Sequence, residues 1–276
     1  MKEDNNEKLL RSSLSTLLKR FSNTDLISSL DKQYNSTTPG YVHIADIDDN
    51  HIIKKARINE KKLEEVMNKM SEKGVDTPLF VISNGDRYEV VYPRIVYIAA
   101  KKMNWDCLPC TVIDINEEDL LVFLATRLRD TKGSNIIELS LILNHLQKRY
   151  KYRQKEIASL MNQSRSQITN IMRLNKMPAS ILKDIANEKL SFGHARAIST
   201  LNDEEMMNMV KRIYEENLSV REVEKIIHKM KNQDEEDKSP IFQDKYHAKA
   251  RILKKQIILK FDNEQDKEEF IKQLEK

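Results

Sequence analysis

The chain has 276 residues, with 47 Lys or Arg against 43 Asp or Glu, so a third of it is charged while the net charge is only +4. That length suits about two compact domains, and 39% hydrophobic residues build cores joined by solvated segments rather than one large globule. Five glycines and six prolines exclude collagen-like and Pro-rich chains and argue against a turn-dense all-β fold. No run approaches the roughly 18 apolar residues of a transmembrane helix. The start, Met1-Lys-Glu-Asp-Asn-Asn-Glu7, is too charged for a secretory signal, and two cysteines cannot form a disulfide framework. A cytoplasmic protein is expected.

Residues 1–40 are expected to be a mobile tail holding one amphipathic helix, Lys8 to Phe21. There Leu10, Leu14, Leu17, Leu18 and Phe21 recur at helical spacing beside Arg11, Lys19 and Arg20. Residues 41–116 alternate strand and helix patterns. Strands are expected at Tyr41–Ile47, Thr77–Ile82, Arg87–Tyr92 and Cys110–Asp114, and helices at Glu60–Lys73 and Arg94–Met103. This predicts a small α/β domain. Residues 117–230 have helical period almost throughout, punctuated at Gly133-Ser134, Asn162, Pro178, Gly193 and Asn217-Leu-Ser. Short helices with short connections predict an orthogonal all-α domain. Residues 231–248 are charged and core-free, a linker. Residues 249–276 give a strand, Gln256–Phe261, then a helix with Phe270, Ile271 and Leu274 apolar. The fold class is thus α+β, mostly helical.

The segment Arg153–Arg173 has the spacing of a helix-turn-helix. Gln154 opens the first helix, and small Ala158 sits where two helices must approach closely. Asn162 falls at a turn position that wants positive φ, which Asn tolerates better than most residues. Ile168 and Ile171 turn back toward Ile157 and Leu160, leaving Ser164, Arg165, Ser166, Gln167, Thr169, Asn170 and Arg173 to donate to phosphates or base edges. Between Lys148 and Arg196 stand eleven Lys or Arg and three acids, a local positive excess on a chain that is otherwise slightly acidic. His194 and Arg196 lie in the same stretch, Arg196 as a phosphate ligand and His194 as a DNA contact or a structural histidine. Cys107-Leu-Pro-Cys110 has the spacing of a metal or redox pair, but there is no second such pair and no histidine nearby in sequence, so both cysteines are expected in the core and no metal is expected. No Ser/His/Asp triad, paired carboxylate site or Walker loop is visible.

From here the chain resembles the ParB partition proteins and their relative Noc. The resemblance rests on Arg57 with the helix from Glu60, Thr77-Pro-Leu-Phe-Val, Tyr88-Glu-Val-Val, Ala99-Ala100-Lys101 and the helix-turn-helix. It continues through Leu174-Asn-Lys-Met-Pro178, Lys189-Leu-Ser-Phe-Gly-His-Ala-Arg-Ala197 and Leu218-Ser-Val-Arg-Glu-Val-Glu224. It implies a nucleoid-associated homodimer that binds a centromere-like DNA palindrome in plasmid or chromosome segregation. A nucleoid-occlusion or transcription-regulatory homologue is the alternative. The C-terminal module would dimerise through Ile257, Leu259, Phe261, Phe270, Ile271 and Leu274, since so short a segment cannot bury its apolar set alone. For the N-terminal helix, three roles fit: binding a ParA-type ATPase through Arg11, Leu14, Leu17, Leu18 and Arg20, lying on a membrane, or docking on its own protein.

Many members of this family bind and hydrolyse CTP through a Gly-Glu-Arg-Arg loop. The matching residues here are Pro93-Arg-Ile-Val96, in which proline lacks an N–H and Ile and Val cannot pair with phosphate. The family's second nucleotide motif is not recognisable in Thr126-Arg-Leu-Arg-Asp130. The expectation is therefore a protein that is not an enzyme and uses no cofactor, CTP included, with Arg94 and Arg129 left as the residues able to meet an anion.

Overall fold

The structure, a computed structural model, describes residues 40–233, 248–253 and 256–274. The helix expected over Lys8–Phe21, with Arg11, Leu14, Leu17, Leu18 and Arg20, lies outside the described residues, as does most of the linker. Two compact units are formed, one ending at Val210 and the other beginning at Lys211.

The first unit opens with a five-stranded mixed sheet made of β1 (Gly40–His43), β2 (Ile47–Asp48), β3 (Leu79–Asn84), β4 (Arg87–Tyr92) and β5 (Cys107–Val112), in the order β1-β5-β3-β4-β2. The strand expected over Tyr41–Ile47 is broken by a 3-10 turn at Ile44–Asp46, so its two halves serve opposite edges of the sheet. β3 and β4 form an antiparallel hairpin whose register pairs Asn84 with Arg87, and Gly85 takes φ +63 in the two-residue turn. β5 starts at Cys107, three residues earlier than its apolar run suggests. Cys110 is buried while Cys107 is only half-buried, and both thiols are free.

Strand periodicity sends neighbouring residues to opposite faces, and both faces are covered. Leu79, Val81 and Val90 pack with Leu63 and Met70 of α1 (Glu60–Lys73) and with Tyr97, Ala99 and Ala100 of α2 (Arg94–Lys102). Phe80 and Val91 join a second, larger core with α3 (Glu117–Asp130) and α4 (Ile136–Arg149). Leu120 to Ala125 of α3 are buried without interruption, as a helix packed on several sides requires. Asn116 caps α3 by accepting from the Asp119 N–H at 2.9 Å, and Asn135 caps α4 by accepting from the Ile137 N–H at 3.0 Å.

Glu89, Arg94, Asp119 and Glu138 are the charged side chains buried among the described residues of this unit. Arg94 is 5% exposed. Its Nε and Nη2 donate to the two carboxylate oxygens of Asp49 at 2.7 and 2.8 Å. Its Nη1 donates to Glu138 Oε1 at 2.8 Å and to the Ala56 carbonyl at 3.1 Å, and Nη2 also reaches the Lys54 carbonyl. The guanidinium fork is thereby saturated. Burial pushes the Glu138 carboxyl above the usual range, against the pull of Arg94.

Downstream lie α5 (Gln154–Leu160), α6 (Arg165–Arg173), α7 (Ala179–Ala186), α8 (Phe192–Ile198) and α9 (Asp203–Glu216), the last crossing into the second unit. The second unit continues with α10 (Val220–Gln233), then β6 (Ala248–Leu253), β7 (Gln256–Phe261) and α11 (Glu264–Leu274). β6 and β7 form an antiparallel hairpin pairing Ala248 with Phe261 and Ile252 with Ile257. The C-terminal module is thus a hairpin and a helix rather than one strand and a helix. The Phe261 and Phe270 rings pack at a tilt of 48° with centroids 5.5 Å apart. Among the described residues no helix is long and apolar enough to cross a membrane.

Replacing Arg94 by Ala leaves Glu138 and Asp49 facing each other without their cation, the costly way to break a buried pair. Urea denaturation should show a loss of about 3–5 kcal/mol, and Arg94→Ala combined with Glu138→Ala should cost less than the two single changes added together.

Candidate nucleic-acid interface

Tyr150 ends α4, and Tyr152 stands just before the helix-turn-helix. Their phenols donate to Glu117 Oε2 at 2.6 Å and Glu118 Oε1 at 2.7 Å, on the first turn of α3. Burial and the bond to the facing carboxylate push both phenols above their usual range. Glu117 is also met by His145 Nε2 at 3.3 Å and His51 Nε2 at 3.6 Å, while His51 Nδ1 lies 2.9 Å from Glu89. This polar knot ties the sheet domain, α3 and α4 to the start of the DNA-binding segment.

α5 begins at Gln154, with the Arg153 N–H donating to Glu156 Oε2 at 2.7 Å. Ala158 is buried where α5 meets α6, and Asn162 takes φ +47 in the turn, as its position in the sequence predicts. The Gln163 N–H closes the turn onto the Ala158 carbonyl at 2.9 Å. Ser164 then caps α6 by accepting from the Gln167 N–H at 3.1 Å and lies 3.0 Å from the Ser166 hydroxyl. Ile157, Ile168, Ile171 and Met172 are buried in the same core as α3 and α4. The opposite face of α6 exposes Arg165, Ser166 and Arg173 and leaves Gln167, Thr169 and Asn170 half-buried.

The expected site residues separate into two kinds. Arg165, Ser166, Asn170 and Arg173 share the outward face. Ser164 is engaged as the helix cap, and Thr169 Oγ1 sits 2.9 Å from the Arg165 carbonyl and 3.0 Å from Gln154 Oε1. His194 lies on α8, its Nδ1 2.8 Å from the Ser191 hydroxyl that caps that helix, with Arg196 exposed one turn beyond its start. Asn144, which no motif marks, donates to the Met172 carbonyl at 3.0 Å. Nothing in its own sequence neighbourhood announces that contact.

The two residues expected to meet an anion are both engaged. Arg94 is saturated as described, and Arg129 is paired with Asp130 at 2.6 and 2.8 Å. Pro93 and Ile95 line a cavity of about 470 Å³, closed also by Ile136, Leu128, Ile185 and Phe192. Among the described residues no group of three or more His, Cys, Asp or Glu side chains is arranged to hold a metal ion.

A capped second helix, pinned on a small-residue crossing and presenting cationic and amide side chains within a cation-rich segment, defines a helix-turn-helix DNA-binding protein. The comparisons add its family: the ParB N-terminal domain matches residues 28–128 and the ParB HTH domain residues 132–232. The chain belongs to the ParB family. It is 26% identical to the probable chromosome-partitioning protein ParB of Campylobacter jejuni, over 92% of this chain and 90% of that protein. Similar solved structures include a C-terminally truncated Caulobacter crescentus ParB complexed to the centromeric parS site (25% identity, TM-score 0.40, 69% of this chain and 99% of that one). The same truncated protein complexed with CTP-gamma-S is 24% identical, with a TM-score of 0.32, over 64% of this chain and 99% of that one.

That last complex overturns one expectation. The expectation of a protein that is not an enzyme, drawn from Pro93-Arg-Ile-Val96 and Thr126-Arg-Leu-Arg-Asp130, does not stand beside a nucleotide-bound relative. Four consecutive loop residues are a local signal, whereas the cavity beside them is walled by several separate segments.

Left-handed backbone costs an ordinary side chain about 1–2 kcal/mol. Asn162→Ala should therefore lower unfolding free energy by about 1 kcal/mol in thermal melts, while Asn162→Gly should be close to neutral.

Proposed function

We propose that this chain is a chromosome-partitioning protein of the ParB type that binds a centromeric palindrome of the parS kind through its helix-turn-helix. The observation that carries this is the outward face of α6, with Arg165, Ser166, Asn170 and Arg173 set in a segment of eleven cations and three acids. Arg pairs bidentately with guanine and Asn with adenine in the major groove. The surrounding lysines and arginines supply the sequence-independent attraction to phosphates. Arg196 and His194 on α8 extend the footprint, and Gln154 at the start of α5 reaches a phosphate.

The organisation that fits this role is a tail over 1–40, a ParB-like domain over 41–116, the DNA-binding domain over 117–230, a linker over 231–248 and a dimer module over 249–276. Ile258, Ile271 and Leu274 are 46, 43 and 71% exposed on that module. Covering them with a second copy would bring two recognition helices to the half-sites of a palindrome and multiply their weak single affinities through effective concentration. The cationic leucine-rich segment from Lys8 to Phe21 fits a ParA-type ATPase as its partner.

Sequencing DNA crosslinked to the protein in cells tests the reading: one sharp cluster of sites supports partition, and scattered promoters defeat it. On the site so found, Arg165→Ala and Asn170→Ala should each cost about 1–3 kcal/mol at one base position by fluorescence anisotropy. Affinity unchanged in both would mean that α6 is not the recognition helix. A chain truncated after Lys231 should sediment as a monomer at micromolar concentration, whereas the full chain sediments as a dimer.

A further inference from the structure

Met172 lies in the last turn of α6, where carbonyls have run out of intrahelical N–H partners. Its carbonyl accepts instead from Asn144 Nδ2 at 3.0 Å, and the same nitrogen donates to the Ser140 carbonyl at 2.8 Å. Both amide protons are used, one inside α4 and one on the recognition helix. Asn144 is half-buried on α4, whose Leu143 and Leu146 share the core with Ile168 and Ile171. A second pin sits about one turn earlier on α6, where the Thr169 hydroxyl lies between the Arg165 carbonyl and Gln154 Oε1. With one proton and two such neighbours, that hydroxyl is engaged within the protein.

We propose that Asn144, with the Gln154–Thr169 pair, is a positioning residue for base reading. It sets the axial register and roll of α6, so that Arg165, Asn170 and Arg173 meet base edges in alignment. The inference rests on the DNA-binding reading above. Apolar packing alone is non-directional and lets a helix shift slightly at small cost, whereas hydrogen bonds weaken steeply off their line. Bidentate base contacts need that alignment, while phosphate attraction tolerates its loss. Removing a pin therefore lowers discrimination at several base pairs together and leaves non-specific binding in place.

The test uses the full-length chain and a duplex that the wild type selects from a random-sequence pool, together with every single-base-pair variant of that duplex. Asn144→Leu should lower the ratio of matched to mismatched affinity about tenfold at several positions, a change of roughly 1.4 kcal/mol, while affinity for non-selected duplex stays within about twofold and circular dichroism stays native. Ratios that stay unchanged in a folded Asn144→Leu protein overturn the role. Should that variant not fold, Thr169→Val carries the test, because it removes the second pin without changing side-chain size. A loss spread over several positions supports positioning, and a loss confined to one base pair makes Thr169 a reader and defeats the proposal. Failure of the wild type to select any sequence would instead sink the DNA reading itself, an outcome distinct from retained discrimination in the variants.

Discussion

The buried guanidinium of Arg94 is the constraint around which the first unit is organised. A charge at 5% exposure is tolerated only if every donor is answered, and the answers to Arg94, at the start of α2, come from two places: the loop at Asp49 to Ala56 and the first turn of α4. The sheet domain and α4 are thereby fixed to each other by geometry, beyond what shape-filling contacts supply. A buried pair of this kind adds little net stability over an apolar replacement, but losing one partner is expensive. Its effect here is to specify one arrangement.

α4 carries that arrangement onward. Glu138 in its first turn holds Arg94, Leu143 and Leu146 in its middle lie in the core beneath the recognition helix, and Asn144 reaches the Met172 carbonyl. Its last residues lead to Tyr150 and Tyr152, anchored on Glu117 and Glu118 of α3. One helix of fourteen residues thus connects the sheet domain to the helix-turn-helix. Burial of the phenols and their bonds to the carboxylates push both tyrosines further above the physiological range, where a phenol is already protonated.

Much of this was legible in the sequence where the signal is local. The helix-turn-helix depends on Gln154, Ala158, Asn162, Ile168 and Ile171 within some twenty residues, and Asn162 adopts the positive φ that its place in the turn requires. Periodicity likewise gave α1, the β3–β4 hairpin and the helical run from Glu117. β6 was missed because Ala248-Lys-Ala-Arg has little apolar character, and its pairing with β7 is what makes it a strand. Arg94 was misread for a different reason. A lone arginine at a helix start reads as an anion ligand, and its real partners lie 45 and 44 residues away on either side. Thr169 falls among the outward residues in sequence, and the Gln154 side chain 3.0 Å from its hydroxyl is adjacent to it only in the fold.

The same distinction explains the misjudged nucleotide loop. Side-chain identity at four consecutive positions is a local signal, whereas a binding crevice is a property of everything the fold brings to its walls. Around Pro93 those walls come from β4, the start of α2, the C-terminal turn of α3, the turn into α4, and the ends of α7 and α8. A substitution in one wall changes the contacts available there without deciding what the remaining walls can hold. The recognition helix shows the converse. Its outward residues Arg165, Asn170 and Arg173 are local and visible, yet the helix that carries them is bonded to Asn144 and Gln154, which belong to other helices. The outward face of α6 is written in one short segment of this chain, whereas what holds that helix in place comes from residues distant in sequence.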